Sequence, residues 1–540
     1  MKIRVYGLAV AVGLVTVAAA NTADAQLRDT VEKISGNVVN EGIHKNIGGQ
    51  IGAGRGNNTT ANSSIYIIQR DPFRAIRRGR QLFQRKFLPT QGFGGRDRSG
   101  NIAVDASIGA GVVDSCAGCH GRPRGSAGHG GDVFTRPDSR DAPHLFGLGL
   151  QEMLGDEITA DLRAIRAAAR TAAQSSGTPQ TRTLTSKGIS YGSITANPNG
   201  TFVTTGVVGV NTDLRVRPFF AQGGTISIRE FLVGAFNAEM GIQSDDPDLR
   251  AAAINRQRVT TPAGMILDGA LDAIEAPPVT GSNGVDPDGD GVPSELPVSL
   301  VDFEEFYLLN YFKPAVSVSP DRTTEVNSGR TIFTNIGCAS CHIPSLTINV
   351  DRRVADVETV FADFNPGSPT TSGNPLNRLF ATATPRIVTV DDPPSDPVLK
   401  LPARQSFVVN NFFADLKRHD LGNNFVERNF DGTFQRQFMT EPLWGVATTS
   451  PYGHDGRTQT IEEVILRHGG EAQAARDGFN GQSRANKNLL LAFLNSLVLF
   501  PPDDTASNTA NINPAASNFP QNGHGAIALT PLFNNPADIE

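Results

Sequence analysis

All four cysteines of the chain fall in two copies of one pattern, Cys116-Ala117-Gly118-Cys119-His120 and Cys338-Ala339-Ser340-Cys341-His342. No other feature so narrows what the chain can fold into. Two thiols three positions apart can reach the two vinyl groups of one porphyrin and become thioethers, and the adjoining histidine is then held beneath the iron. Zinc sites and dithiol redox pairs use related spacings. A zinc knuckle made from four cysteines has no need of a histidine after each pair, and a dithiol pair does not normally come twice with the same histidine. The pattern therefore predicts two covalently bound c-type haems. Cys116, Cys119, Cys338 and Cys341 attach them, and His120 and His342 are the proximal iron ligands.

The compartment suggested by the first residues agrees. Lys2 and Arg4 precede an uncharged, largely apolar run from Val5 to Ala20, and Ala23-Asp24-Ala25 offers a small-x-small cleavage site. A membrane anchor is the competing reading, but the run is shorter than the roughly 20 residues a span needs. The expectation is a periplasmic or secreted protein cleaved near Ala25, with no stable membrane span. The 540 residues allow more than one core. A net charge of −6, from 48 basic and 54 acidic residues with no basic cluster, argues against a nucleic-acid partner.

Two weakly similar units are visible. Gly79-Arg80-Gln81-Leu82-Phe83 looks helical, and Gly329-Arg330-Thr331-Ile332-Phe333 repeats its form. Each precedes a haem motif, the first after an inserted loop. The expected map is a signal peptide (1–25), an N-terminal extension (26–75), two cytochrome c-like haem domains (76–310 and 311–500) and a tail (501–540). Between the motifs, helical spacing marks 155–174, and Ser227 to Met240 reads as a helix. Residues 176–187 read as loop. Ile189 to Ile194 and Thr201 to Val210 flank the turn Asn197-Pro198-Asn199-Gly200, which predicts a β-hairpin. Residues 363–400 read as a Pro/Thr/Asp-rich loop, and 484–498 as a final apolar helix. The fold class expected is mostly α: two cytochrome c-like domains with long loops and a small β-hairpin insertion.

Chemistry at each iron depends on its second axial ligand. His468 follows a helix whose start is marked by the capping-box pair Thr460 and Glu463. Ile461, Val464, Ile465 and His468 share one face of it. A histidine so placed is usually a satisfied core residue; with a haem at hand, ligation is the preferred reading. An iron held by two histidines has no open position, so it transfers electrons and leaves chemistry to the other iron. Separately, Asp286, Asp288 and Asp290 alternate around Gly289, an arrangement that can surround calcium with oxygen. Pro297 takes the place of the last glutamate of an EF-hand, with Glu295 as a substitute, and a solvated acidic turn is the alternative.

In order and spacing the chain resembles the bacterial di-haem cytochrome c peroxidase superfamily over roughly residues 75–500. Its nearest branch there is the di-haem oxidoreductases, also described as thiol oxidoreductase-like. The resemblance rests on the two haem motifs and on short stretches in a fixed order. These include Gly147 to Glu152, Leu214 to Phe219, Glu239-Met240-Gly241, Asp286 to Gly291, His419-Asp420-Leu421-Gly422, Pro442-Leu443-Trp444-Gly445, His454-Asp455-Gly456-Arg457 and His468-Gly469-Gly470-Glu471-Ala472.

This resemblance implies that the N-terminal haem is the reactive one and the C-terminal haem supplies electrons. His468 aligns with the distal ligand of the second haem, a methionine in the peroxidases; histidine favours a lower potential. Glu239 aligns with the distal glutamate that works as general acid–base on peroxide; a solvated helix residue is the competing reading. Calcium between the domains is common in the family. The chain departs from the peroxidases where they carry a tryptophan between the haems, having Phe219-Phe220 instead. Its single tryptophan, Trp444, lies elsewhere. His144 and His129 are candidates to cap the first iron in a resting form.

The function expected is therefore an exported di-haem oxidoreductase, peroxidase-like, with an electron-transfer haem feeding a reactive haem. Its partners would be a small redox donor or cytochrome and a peroxide or other small oxidant. A pure electron-transfer cytochrome and a di-haem oxygenase acting on an organic substrate are the rivals.

Overall fold

A computed structural model describes residues 46–94, 113–120, 140–279, 291–311, 315–316, 322–361, 379–392, 395–429, 431–499 and 526–528. The export signal, the aspartates at 286, 288 and 290, His129 and most of the 501–540 tail lie outside the described residues.

The N-terminal part is built on short capped helices. Asn46 and Ser63 cap α1 (Ile47–Ile51) and α2 (Ser64–Arg70) through their side chains. Asp71 and Pro72 start α3 (Pro72–Gln84), which buries Ala75, Gly79, Leu82 and Phe83. Next come the one-turn α4 (Cys116–His120) and the 29-residue α5 (Leu148–Ser176). Ser227 caps α6 (Ile228–Met240), and Asp246 caps α7 (Pro247–Ala253). α8 (Val298–Leu309) is buried at every residue from Ser299 to Leu309, including Asp302, Glu304 and Glu305. The C-terminal part holds α9 (Thr323–Asn335), α10 (Ile461–Arg467), α11 (Gln473–Asn480) and α12 (Arg484–Leu494). Among the described residues no helix is long and apolar enough to cross a membrane.

One helix crossing occurs twice. A Cβ placed on Gly79 would stand 2.1 Å from the Phe303 carbonyl oxygen and 2.5 Å from Tyr307 Cβ, so α3 and α8 touch backbone to backbone there. Gly329 meets the Leu489 carbonyl oxygen at 2.0 Å and Phe493 Cβ at 2.9 Å, and brings α9 onto α12 in the same way. The repeat seen in the sequence is thus a repeat of helix packing. The first crossing lies in the main core with Leu154, Ile158 and Leu308. The second forms its own core of Phe333, Phe413, Ile461, Phe479, Leu490 and Phe493, against which Cys338 packs.

A charged cluster fixes α6 to α8. The fully buried Arg229 donates to Asp246 (2.6 Å), Asp302 (3.0 Å) and Glu305 (2.8 Å). Removing the arginine would strand buried carboxylates, a loss of roughly 3–5 kcal/mol for broken pairs of this kind.

The mostly-α expectation is wrong. The described chain is 39% helical and 18% strand, with several small sheets, and shows no clear all-α cytochrome c fold. Besides the expected hairpin, formed by β2 (Ile189–Ala196) and β3 (Phe202–Val203), β1 (Gln180–Ser186) pairs antiparallel with β2. Residues 176–187 therefore contain a strand where loop was expected. The 363–400 loop reading fails likewise, because Leu379–Pro385 pairs with Ala355–Phe361 and Ile387–Asp392 pairs with Ser395–Pro402. Further two-stranded pairs join Ser345–Ile348 to Phe407–Asn410 and Arg418–Asp420 to Gln437–Met439. The final helix stops at Leu494, and Leu497–Val498 is a short strand.

Candidate haem sites

At the first site, α4 puts Cys116 and Cys119 one helical turn apart on the same side. Neither thiol is in a disulfide. The approach is held by the Phe87 N–H donating to Asp114 O (2.7 Å). Gly118 is required, since a Cβ there would lie 2.2 Å from Val113 Cγ2. The His120 Nδ1 lies 2.7 Å from Pro143 O. A carbonyl only accepts, so Nδ1 carries the proton and Nε2 is the unprotonated nitrogen, the form that binds iron. Burial lowers the basicity of the ring, partly offset by the Pro143 bond. Burial likewise raises the Cys116 thiol well above its usual range, with the Glu304 carboxylate adding to it.

The second site repeats this chemistry. Gly337, at φ 95°, turns the chain out of α9 into the half-turn Cys338–Ser340. His342 Nδ1 donates to Phe413 O at 2.9 Å, and burial pushes the ring down to about 4 against that hydrogen bond. His468 is close enough to lower it further. The predicted capping box is present, with Thr460 and Glu463 bonding reciprocally. His468 is not on the face of α10 but at its C-cap, with an extended ψ of 138°. Its Nδ1 still donates to Val464 O, at 2.6 Å, and burial lowers its basicity. Phe425 flanks the ring at 5.3 Å. Arg467 secures this turn by pairing with Asp455 and donating from Nε to Asn424 O (2.9 Å).

Three neutral imidazoles thus share one arrangement: Nδ1 locked to a backbone carbonyl, Nε2 without a hydrogen-bond partner among the described residues. With a pair of thiols outside any disulfide beside two of them, the residues fit covalently held haem at both sites.

His144 differs. Its Nδ1 accepts from the Phe146 N–H (3.2 Å), and burial pushes the ring down to about 4, with the Trp444 backbone opposing that shift. Glu239 is half-buried near the end of α6. That helix also carries Phe231, whose ring is 6.4 Å from that of His120. Eight residues separate the two, about 12 Å along the axis.

Three features escaped the sequence reading. His419 is clamped between Asp415 (Nε2 to Oδ2, 2.9 Å) and Glu471 (Nδ1 to Oε2, 2.7 Å). Burial lowers its basicity, but the bonds to Asp415, Cys341 and Glu471 raise it to about 10. Cys341, Asp415 and His419 place donor atoms within 4.8 Å of one another. The thiol is, however, the one the haem motif uses, and both imidazole nitrogens face carboxylates. Trp444 lies between the sites: a Cβ on Gly147 would touch its ring, and Phe412 meets it edge-on at 5.1 Å. Finally, both carboxyl oxygens of Glu304 are buried without a partner among the described residues.

The chain thus carries two sites of one make, each with a pair of thiols and an adjoining imidazole. Residues 379–497 match the model of the family described as "di-haem oxidoreductase, putative peroxidase", which supports the di-haem peroxidase family and haem cofactors for this chain. The matched segment contains His419, Trp444 and His468 but neither Cys-x-x-Cys-His motif. A comparison with curated proteins finds no match.

Proposed function

We propose that the chain is an exported di-haem c-type oxidoreductase with peroxidase-type activity, in which a second, electron-transfer haem feeds a reactive first haem. The observation that carries this reading is the shared state of His120, His342 and His468: neutral, aimed by a backbone carbonyl, with Nε2 unengaged. Haem supplies one-electron redox chemistry at both sites and a place for peroxide at the first. Cys338, Cys341, His342 and His468 hold the electron-transfer site. Cys116, Cys119 and His120 hold the reactive one. Glu239 is assigned to take a proton from bound peroxide and return it to the leaving oxygen. A small redox protein is the donor. Calcium is assigned to Asp286, Asp288 and Asp290, which lie outside the described residues.

Electron paramagnetic resonance of ferric and half-reduced protein, with and without peroxide, tests this. One low-spin bis-histidine signal beside a centre that is, or becomes, high-spin on half-reduction is expected, together with peroxide consumption. Two permanently low-spin centres indifferent to peroxide would make the protein an electron carrier. A stable oxygen complex at the first centre would point to an oxygenase.

A further inference from the structure

Three acidic side chains of α8 are buried, and only one is uncompensated. Asp302 meets Arg229, Arg55 and the Ser64 hydroxyl (2.6 Å). Glu305 meets Arg229 and the Thr261 hydroxyl (2.8 Å). Glu304 is 0% exposed, and neither of its oxygens has a hydrogen-bond partner among the described residues. A buried carboxyl left in that state is costly unless something else at the site uses it.

The repeated helix crossing shows how unusual its place is. Phe303 and Tyr307 stand against Gly79 as Leu489 and Phe493 stand against Gly329. Glu304, one residue after Phe303, therefore occupies the position that Leu490 takes in the second unit. Leu490 is 1% exposed in an apolar core that Cys338 joins. The first unit has a carboxyl where the second has a hydrocarbon.

Glu304 is also the acidic group that acts on Cys116, the first thiol of the first site, so its carboxyl stands within electrostatic reach of that site. The other groups near it do not neutralise it. Tyr307, one turn along α8, is held weakly acidic by burial and paired with Tyr311. Arg80, on α3, acts on both tyrosines but is not among the influences on Glu304. Arg229, on α6, is bound to Asp246, Asp302 and Glu305. From α2, Ser64 faces Asp302. On α5, Glu152 feels Glu305 and donates nothing to Glu304. Burial alone acts on Glu304, and it keeps the acid protonated. What is left to change its state is charge arriving at the haem.

We propose that Glu304 is a redox-linked proton site of the first haem. Its carboxyl releases a proton to solvent when one electron is withdrawn from the haem held by Cys116, Cys119 and His120, and recovers it when the electron returns. The electron goes to an external one-electron oxidant. The gain of one positive charge at the haem is matched by one negative charge on Glu304. This rests on the haem reading above and adds to it a coupling between proton and electron at the first site alone. By linkage, the first potential then falls as pH rises, while the second site has only Leu490 at the same place.

The test is a mediated spectroelectrochemical titration of the full-length holoprotein from about pH 5 to about pH 9, across the range in which a coupled carboxyl titrates. The two haems are assigned by their electron paramagnetic resonance signals. In the wild type the first potential is expected to fall with pH, approaching 59 mV for each tenfold change in proton activity. Glu304→Gln, with similar shape and no proton to release, is expected to flatten that slope and leave the second potential unmoved. Glu304→Leu places there the residue the second unit already tolerates, and serves if the glutamine variant fails to fold. A first potential independent of pH in the wild type, or a slope surviving in both variants, overturns the proposal. Protein that matures without haem absorbance would instead overturn the proposed function.

Discussion

At the level of single residues, the chemistry turns on which nitrogen of each histidine is occupied. His468 keeps Nε2 unengaged, and on the proposed function its replacement should register in the second haem alone. His468→Met is expected to raise that potential, because a thioether ligand favours the reduced iron, and to leave the first haem's spectrum unchanged. Equal shifts at both haems would remove His468 from the ligand set. His419 is the opposite case, with both nitrogens against carboxylates. Its folded-state pKa of about 10 lies above the ordinary 6.5. The stabilisation is therefore complete below about pH 6.5 and is lost as pH rises through about 10. It should amount to a few kcal/mol, discounted for the half-exposed Glu471. Melting temperatures across that window should fall more steeply for wild type than for His419→Gln. Parallel curves would show that the clamp contributes nothing. The paired thiols and their adjoining histidines were legible as sites because their spacing is chemical. His419 and Glu304 were not, because their partners, or lack of them, are set by distant segments: Glu471 is 52 residues from His419.

At the level of elements, α6 and α10 were legible because a cap and an apolar face coincide in each, whereas the short capped α2 and α7 were not read. Ser227 caps α6 and Thr460 caps α10, each at the residue the sequence marks. The missed strands have a common cause. β1 is polar and largely exposed, and the ribbon of Ile387–Asp392 and Ser395–Pro402 exposes Val388 (47%) and Val390 (41%). A strand that buries little carries no strong alternation, so its pairing is decided by neighbours that composition does not reveal. The two glycine crossings can be tested at this scale. Gly329→Ala would gain about 1 kcal/mol of helix propensity but would push a Cβ to 2.0 Å from the Leu489 carbonyl, where only backbone can yield. Overpacking of that kind costs roughly 1–3 kcal/mol, so a net loss in denaturant midpoint is expected. Gly155→Ala, on α5, is the control. Its nearest neighbours are ordinary contacts at 3.5–3.6 Å, and it should be neutral or stabilising by up to about 1 kcal/mol. If both alanines stabilise, α9 and α12 do not touch as described.

At the level of the whole molecule, the two sites are joined through a short series of groups. His120 bonds Pro143 O, and four residues on, Gly147 lies against the Trp444 ring. Trp444 meets Phe412 edge-on, and the neighbouring Phe413 O holds His342. Phe219 and Phe220 stand on the other flank of the first site, against Phe231. On the proposed function, electrons pass from the second haem to the first, and the only indole of the chain lies on that line. Its Nε1 is buried and has no hydrogen-bond partner among the described residues, so replacing the indole by a benzene ring strands no bonded group there. Trp444→Phe is expected to slow equilibration between the half-reduced states while leaving both potentials and both haem spectra in place. Flash reduction of one haem followed by transient absorbance would read it. Trp444→Ala would confuse the matter, because emptying a site 3% exposed should cost roughly 3–5 kcal/mol of stability. The phenylalanine variant separates the roles. An unchanged rate with a lowered melting temperature would make Trp444 a packing residue and send the electron past Phe231 instead. A slowed rate at unchanged stability would make it the group through which the two sites act as one enzyme.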